Sequence, residues 1–278
     1  MKTLEPDIEK KHDQVRTQVR EHYAAVAERG TSCCATSCCS PRGDAPASDE
    51  LDPETRSQRL GYSAADTAAV PPGSNLGLGC GNPLAIASLL RGQTVLDLGS
   101  GAGFDSFLAA RAVGPEGKVI GVDMTPAMLT RARENAVKAG ITNTEFRMGE
   151  IENLPVADAS VDVILSNCVI NLSPDKGRVF REAFRVLKAG GRLAISDVVA
   201  LKPVPARIRE DVKLHAGCAA GAALVSDLRD MLTTAGFTDI RITPKPESRE
   251  VIRDWFPGVG LEDLFTSAIV EGTKPATA

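Results

Sequence analysis

Apolar and polar positions along the chain fall into two regimes. Over residues 5–29, Val15, Val19, Tyr23 and Val26 recur at spacings of four, four and three, with charged residues between them. This spacing predicts an amphipathic helix whose apolar stripe packs on the rest of the domain. Its polar face carries both signs of charge, which favours docking on protein over a membrane surface. From Leu84 onward, short apolar runs alternate with helical periods. The runs predict strands near Val95–Leu98, Val119–Val122, Glu145–Arg147, Val161–Leu165, Arg192–Ser196, Thr238–Ile242 and Ser267–Val270. The helical periods lie at Ser106–Val113, Pro126–Ala139, Lys176–Leu187 and Ser226–Ala235. Pro126 suits a first helical turn, and Gly140, Gly190 and Gly236 follow helix ends, where a left-handed residue is wanted. The alternation implies an α/β fold, a doubly wound and mostly parallel seven-stranded sheet covered by helices on both faces.

Between the two regimes, residues 30–58 are dominated by Gly, Ser, Cys, Pro and Asp, the composition of a loop. Three units follow: 1–58, the N-terminal helix and Cys-rich loop; 59–245, the main domain with a substrate lid; and 246–278, a segment that completes the sheet. The chain has 278 residues, enough for one domain with a sizeable core. A net charge of −4, with Lys and Arg scattered, argues against nucleic acid as a partner. No apolar run is long enough to span a bilayer, and the start MKTLEPDIEKKHD has no signal-peptide core. The expected location is the cytoplasm, with no membrane partner and a monomer as the default. Seven cysteines, an odd number, do not form a secreted disulfide framework.

Thr94–Asp105, TVLDLGSGAGFD, places Gly99, Gly101 and Gly103 between a strand and a helix. KVIGVD then ends a second strand on Asp123, twenty residues beyond Gly103. A carboxylate there can accept hydrogen bonds from both hydroxyls of a ribose. No Gly-Lys-Ser/Thr follows to grip phosphates. Asp97, just before the glycines, would repel a pyrophosphate but suits a ligand carrying ammonium or sulfonium charge. S-adenosylmethionine carries both. In MGEIENLP, Ile151 offers an apolar wall for an adenine, and Glu150 or Glu152 an acceptor. Met124 and Asn167 complete the candidate cofactor contacts. These features resemble the class I S-adenosylmethionine-dependent methyltransferases, from about Gly92 to Phe237.

The end of the fourth strand reads SNCVIN, without the Pro-Pro-aromatic segment common in enzymes that methylate amines. Cys168 at that position points to a soft, thiophilic acceptor. Cys218 falls in the lid stretch LHAGCAAGAALV, and Cys80 in the glycine-rich loop NLGLGCGNP, where it is expected to be presented rather than buried. A buried free cysteine is often simply a small apolar side chain. Jointly, however, the three thiols suit a trivalent metalloid such as arsenic, whose lone pair would face the methyl group. His215 is expected to be a packing or surface residue, although its spacing would let it lower the Cys218 pKa or join a zinc site. The pairs Cys33/Cys34 and Cys38/Cys39 suit either a separate metal-loading site or a loop with one useful thiol. Asn171 and Ser173 are expected to cap the next helix, and Trp255 and Phe256 to pack a terminal segment on the domain.

The segments YSAADTAAVPPGSNLGLGCGNP, GVDMTPAML, GEIENLPV, SNCVINLSPDK, VFREAFRVLKAGGRLAISDVV and GCAAGAAL resemble the bacterial arsenite methyltransferases. The resemblance runs to about residue 243. It implies that Cys168 and Cys218 ligate arsenic(III), with Cys80 as a third thiol in substrate transfer or in a disulfide that supplies electrons. The disulfide partner it implies for Cys80 is Cys33 or Cys34. It further implies arsenite, or an arsenite–glutathione conjugate, as substrate, and glutathione or thioredoxin as reductant. Two other functions fit the residues alone: methylation of a small organic acceptor of quinone or sterol type, and a non-catalytic thiol sensor.

Overall fold

The computed structural model describes residues 6–29, 52–209, 219–255 and 260–276. Its centre is a seven-stranded sheet of β1 (Thr94–Leu98), β2 (Lys118–Asp123), β3 (Thr144–Met148), β4 (Val161–Asn167), β5 (Leu187–Ala200), β6 (Thr238–Lys245) and β7 (Phe265–Thr273). The order is β3-β2-β1-β4-β5-β7-β6, and β7 runs antiparallel to both its neighbours. All seven predicted strands are present. They alternate with α5 (Phe104–Val113), α6 (Pro126–Lys138), α7 (Lys176–Val186) and α9 (Val225–Ala235).

Strands covered on both faces explain why the central runs are apolar at nearly every position. Leu96, Leu98 and Ile164 face one way, with Phe180 and Val186 of α7, whereas Val95, Val163 and Leu165 face Ala109 and Val113 of α5. Helix α1 (Pro6–Arg29) docks as its stripe predicts. Val19 packs with Cys80, Cys168 and Leu172, and Val26 and Ala27 pack with Leu76, Ala102 and Met128. Burial of an aliphatic side chain of this size contributes about 1.5–3 kcal/mol, so these contacts suffice to seat the helix. Its polar edge adds Arg16 and Arg20, each 3.4 Å from Glu150.

Three local expectations change. The loop expected over 30–58 gives way at Asp52, whose carboxylate caps α2 (Pro53–Arg59) by accepting from the N–H groups of Glu54 and Thr55 at 3.0 Å. Asp175, not Asn171 or Ser173, caps α7, accepting from Arg178 N–H at 2.9 Å. Gly190 follows no helix end directly. It lies within β5, where pairing jumps from Val161↔Leu187 to Val163↔Arg192 and φ +78° accommodates the bulge. Short helices α3 (Ala64–Ala68) and α4 (Leu84–Ala87) flank the Cys80 loop, and α8 (Ala206–Arg209) and α10 (Ser248–Trp255) follow later in the chain.

Candidate active site

Strand order reverses between β1 and β4, and the crevice beyond their C-terminal ends is where such sheets bind ligands. The turn after β1 has φ +66° at Gly99, +51° at Gly101 and +97° at Gly103, which L side chains rarely adopt. A Cβ on Gly99 would collide with the Val169 side chain, so the turn lies directly under the segment carrying Cys168. Asp123 is tied down by its own neighbourhood, accepting from Gly101 N–H at 2.9 Å and from Thr125 N–H at 2.8 Å. Burial raises its pKa, and those bonds oppose the rise.

Helix α1 roofs a cleft here with Val19 and Tyr23. Gly99, Gly101, Asp123, Met124, Ile151, Glu152, Asn167 and Cys168 line it. Glu152 is buried and accepts a 2.6 Å bond from Ser173 Oγ. Asp97 and Gly103 stand behind this lining. Asp97 is buried and accepts from Ser106 Oγ at 2.6 Å. Burial and the charge of Asp105 push its pKa well up. Gly103 instead starts α5, where a Cβ would meet the Phe107 ring at 2.6 Å.

The thiol side is assembled from distant parts of the chain. Cys168 follows β4 in the left-handed region, φ +60°, with its N–H donating to Ser196 C=O at 2.8 Å. A non-glycine residue held there stores strain that the surrounding bonds must offset. Cys80 is buried, contrary to the expectation of a presented thiol. The cause is Asn167, whose Oδ1 accepts from Cys80 N–H at 3.0 Å while its Nδ2 donates to Gly81 C=O at 2.8 Å. A Cβ on Gly79 would sit 2.8 Å from that amide. The flanking glycines therefore let the loop close inward.

The Asn167 amide is itself held by Tyr62 Oη at 3.0 Å and Asp105 at 3.2 Å, and Tyr62 donates to Asp105 at 2.5 Å. Burial raises the Asp105 pKa to about 6 against those bonds, and raises Tyr62 well above its ordinary value. On the neighbouring strand, Asp197 accepts from Asn171 Nδ2 at 2.9 Å and from the N–H groups of Val198 and Asn171 at 2.8 and 3.2 Å. Burial raises it to about 6 as well. Cys80 Sγ, Cys168 Sγ and an Asp197 carboxylate oxygen all lie within 4.8 Å of one another.

Sequence reasoning passed over Tyr62, Asp105 and Asp197. The available signal was an acid inside the apolar run AISDVV, because a buried carboxylate requires partners. Cys33, Cys34, Cys38, Cys39, His215, Cys218 and Phe256 lie outside the described residues, as does the Trp255 side chain.

A partly exposed Asp123 at a strand end, a turn of three left-handed glycines, and an apolar wall at Ile151 fit a sulfonium nucleoside. Together with the reversed β7, they define a class I S-adenosylmethionine-dependent methyltransferase. Residues 89–236 match the methyltransferase domain family. The chain is 52% identical over 264 residues to the arsenite methyltransferase of Halobacterium salinarum, covering 95% of this chain and 68% of that one. It is 47% identical over 171 residues to the arsenite methyltransferase of Aquipseudomonas alcaligenes, covering 59% of this chain and 49% of that one. The crystal structure of an arsenic(III) S-adenosylmethionine methyltransferase from Chlamydomonas reinhardtii superposes with a TM-score of 0.61 at 33% identity, over 82% of this chain and 76% of that one. The chain belongs to the arsenite methyltransferase family. It spans about two thirds of the haloarchaeal relative and half of the Aquipseudomonas one. Among the described residues, no helix is long and apolar enough to cross a membrane.

Proposed function

We propose that this chain methylates trivalent arsenic, with S-adenosylmethionine as methyl donor. The observation that carries this reading is the meeting of Cys80 and Cys168 from separate elements, within 4.8 Å, beside a cleft suited to a sulfonium.

Arsenite, free or as its glutathione conjugate, exchanges its oxygen or glutathione ligands for Cys168 and Cys218, with Cys80 as the third thiol. Each new As–S bond releases water or glutathione, which carries away the thiol proton. No general base acts on the arsenic, because its lone pair carries no proton. Asp123 holds the ribose, Ile151 the adenine, and α1 excludes water. When bound, S-adenosylmethionine supplies a methyl group to that lone pair and is released as S-adenosylhomocysteine. Positioning of the acceptor is then the main catalytic contribution. Arsenic emerges formally pentavalent. Oxidation of Cys80 and Cys33 or Cys34 to a disulfide returns two electrons, and glutathione or thioredoxin reduces that disulfide. A reducing cytoplasm suits this cycle, and a monomer suffices for it.

Purified protein incubated with arsenite, labelled S-adenosylmethionine and a thiol reductant is expected to yield mono- and dimethylated arsenicals. Cys168→Ser is expected to lose this activity by roughly 10²-fold or more while S-adenosylmethionine binding persists. Absence of any methylated arsenic from the unaltered protein would end the proposal.

A further inference from the structure

In the proposed arsenic site Cys80, Cys168 and Cys218 supply three thiolates, which already neutralise arsenic(III), so the Asp197 carboxylate beside two of those sulfurs needs another explanation. Cys168 and Asp197 each follow the register pair Asn167↔Ser196 of adjacent parallel strands, and the Asn167 amide fixes the Cys80 loop against them. The three groups are buried, and their donor atoms lie within 4.8 Å of one another. A tetrahedral zinc with Zn–S of about 2.3 Å needs sulfurs about 3.8 Å apart, about 1 Å inside the 4.8 Å limit within which the three donor atoms lie. The three hydrogen bonds that orient the Asp197 carboxylate are the outer shell expected around a ligating carboxylate.

From this geometry we infer that Cys80, Cys168 and Asp197 form a site for a thiophilic divalent cation of the zinc and cadmium class. Binding forms two metal–sulfur bonds and one metal–oxygen bond and releases two thiol protons to solvent, with no change of oxidation state. The fourth tetrahedral position stays open. Two thiolates neutralise a divalent cation, and the Asp197 carboxylate adds an oxygen donor of the kind zinc accepts beside sulfur. Because the cation takes two of the thiols proposed for arsenic, it blocks methylation. That inhibitory consequence rests on the proposed function, whereas the binding does not.

The test uses the full chain with Cys33, Cys34, Cys38 and Cys39 changed to Ser, reduced and metal-free, titrated with Cd²⁺ alone. One cadmium per chain is expected, with thiolate-to-cadmium absorption in the ultraviolet and a cadmium-113 resonance in the range of two-sulfur, oxygen-containing sites. Cys80→Ser and Cys168→Ser should each lower the absorption and weaken binding by roughly tenfold or more. Asp197→Asn should weaken it comparably while the absorption at saturation is kept, with S-adenosylmethionine binding as the check on folding. No tight cadmium, a resonance in the three-sulfur range, or undiminished affinity in folded Asp197→Asn overturns the site. Where Asp197→Asn fails to fold, the resonance of the otherwise unaltered chain decides. Arsenite methylation by the chain with all seven cysteines intact, in metal-free buffer, is scored separately. If it is absent while cadmium binds, the proposed function fails and the cation site stands.

Discussion

The two sides of the cleft are built in different ways. The cofactor side is shorter in range: a glycine turn after β1 and a carboxylate at the end of β2 that accepts N–H bonds from Gly101, 22 residues back, and from Thr125, two residues on. The thiol side is a set of long-range clamps. Asn167 bonds the Cys80 backbone across 87 positions, Tyr62 reaches Asp105 across 43, and Cys80 Sγ sits 3.9 Å from Ser196 Oγ across 116. A local device survives modest disturbance elsewhere in the domain. A long-range one can be undone at several points while the sheet remains folded, and a reaction that depends on alignment then suffers first.

The largest expected effect is with pH, because burial raises carboxylates on both sides of the cleft. Asp105 and Asp197 belong to the thiol side, and both are raised from 3.8 in the unfolded chain to about 6. The folded state therefore holds these protons more tightly. The cost of burying the charges is absent below about pH 4, grows between pH 4 and 6, and is complete above 6. At 1.36 kcal/mol per unit this is roughly 3 kcal/mol for each group. Thermal melting of the apo-protein is expected to show these groups opposing stability as pH rises from 4 to 6, and Asp197→Asn to flatten that dependence. An unchanged slope in the variant would remove Asp197 from the account.

Gly99→Ala joins the two sides in one defect, because its Cβ strikes Val169, next to Cys168. A loss of about 1–3 kcal/mol in stability and weaker binding of S-adenosylmethionine by calorimetry are expected. Tyr62→Phe separates them. It removes the hydroxyl that bonds Asp105 and Asn167, for about 1–2 kcal/mol, and should raise KM for arsenite with the cofactor affinity kept. An equal loss of both would show that the clamp serves the whole cleft. The smallest effect belongs to Arg16→Gln, which removes one of the two arginine contacts between α1 and Glu150. Less than about 1 kcal/mol is expected, with a salt dependence of cofactor affinity that shrinks in the variant.

The same contrast explains what was legible in the sequence. The central strands announced themselves by their apolar runs, and the Gly99–Asp123 segment by its spacing, because their causes are local. Cys80 was misjudged because nothing near NLGLGCGNP reveals that Asn167 pulls the loop inward. Asp97 was placed against the ligand on charge alone, but its partner Ser106 turns it into the core. Tyr62, in the unremarkable stretch GYSAAD, gains its role only when folding brings it to Asp105. The Asp52 cap was missed because residues 30–58 read as one loop by composition, although Asp-Pro-Glu is a serviceable helix start.

Arsenic K-edge absorption of the reduced full chain loaded with one equivalent of arsenite tests the central claim most directly. A first shell of sulfur is predicted, losing sulfur when Cys168 is changed to Ser. A shell of oxygen alone, or a sulfur shell indifferent to Cys168, would contradict it.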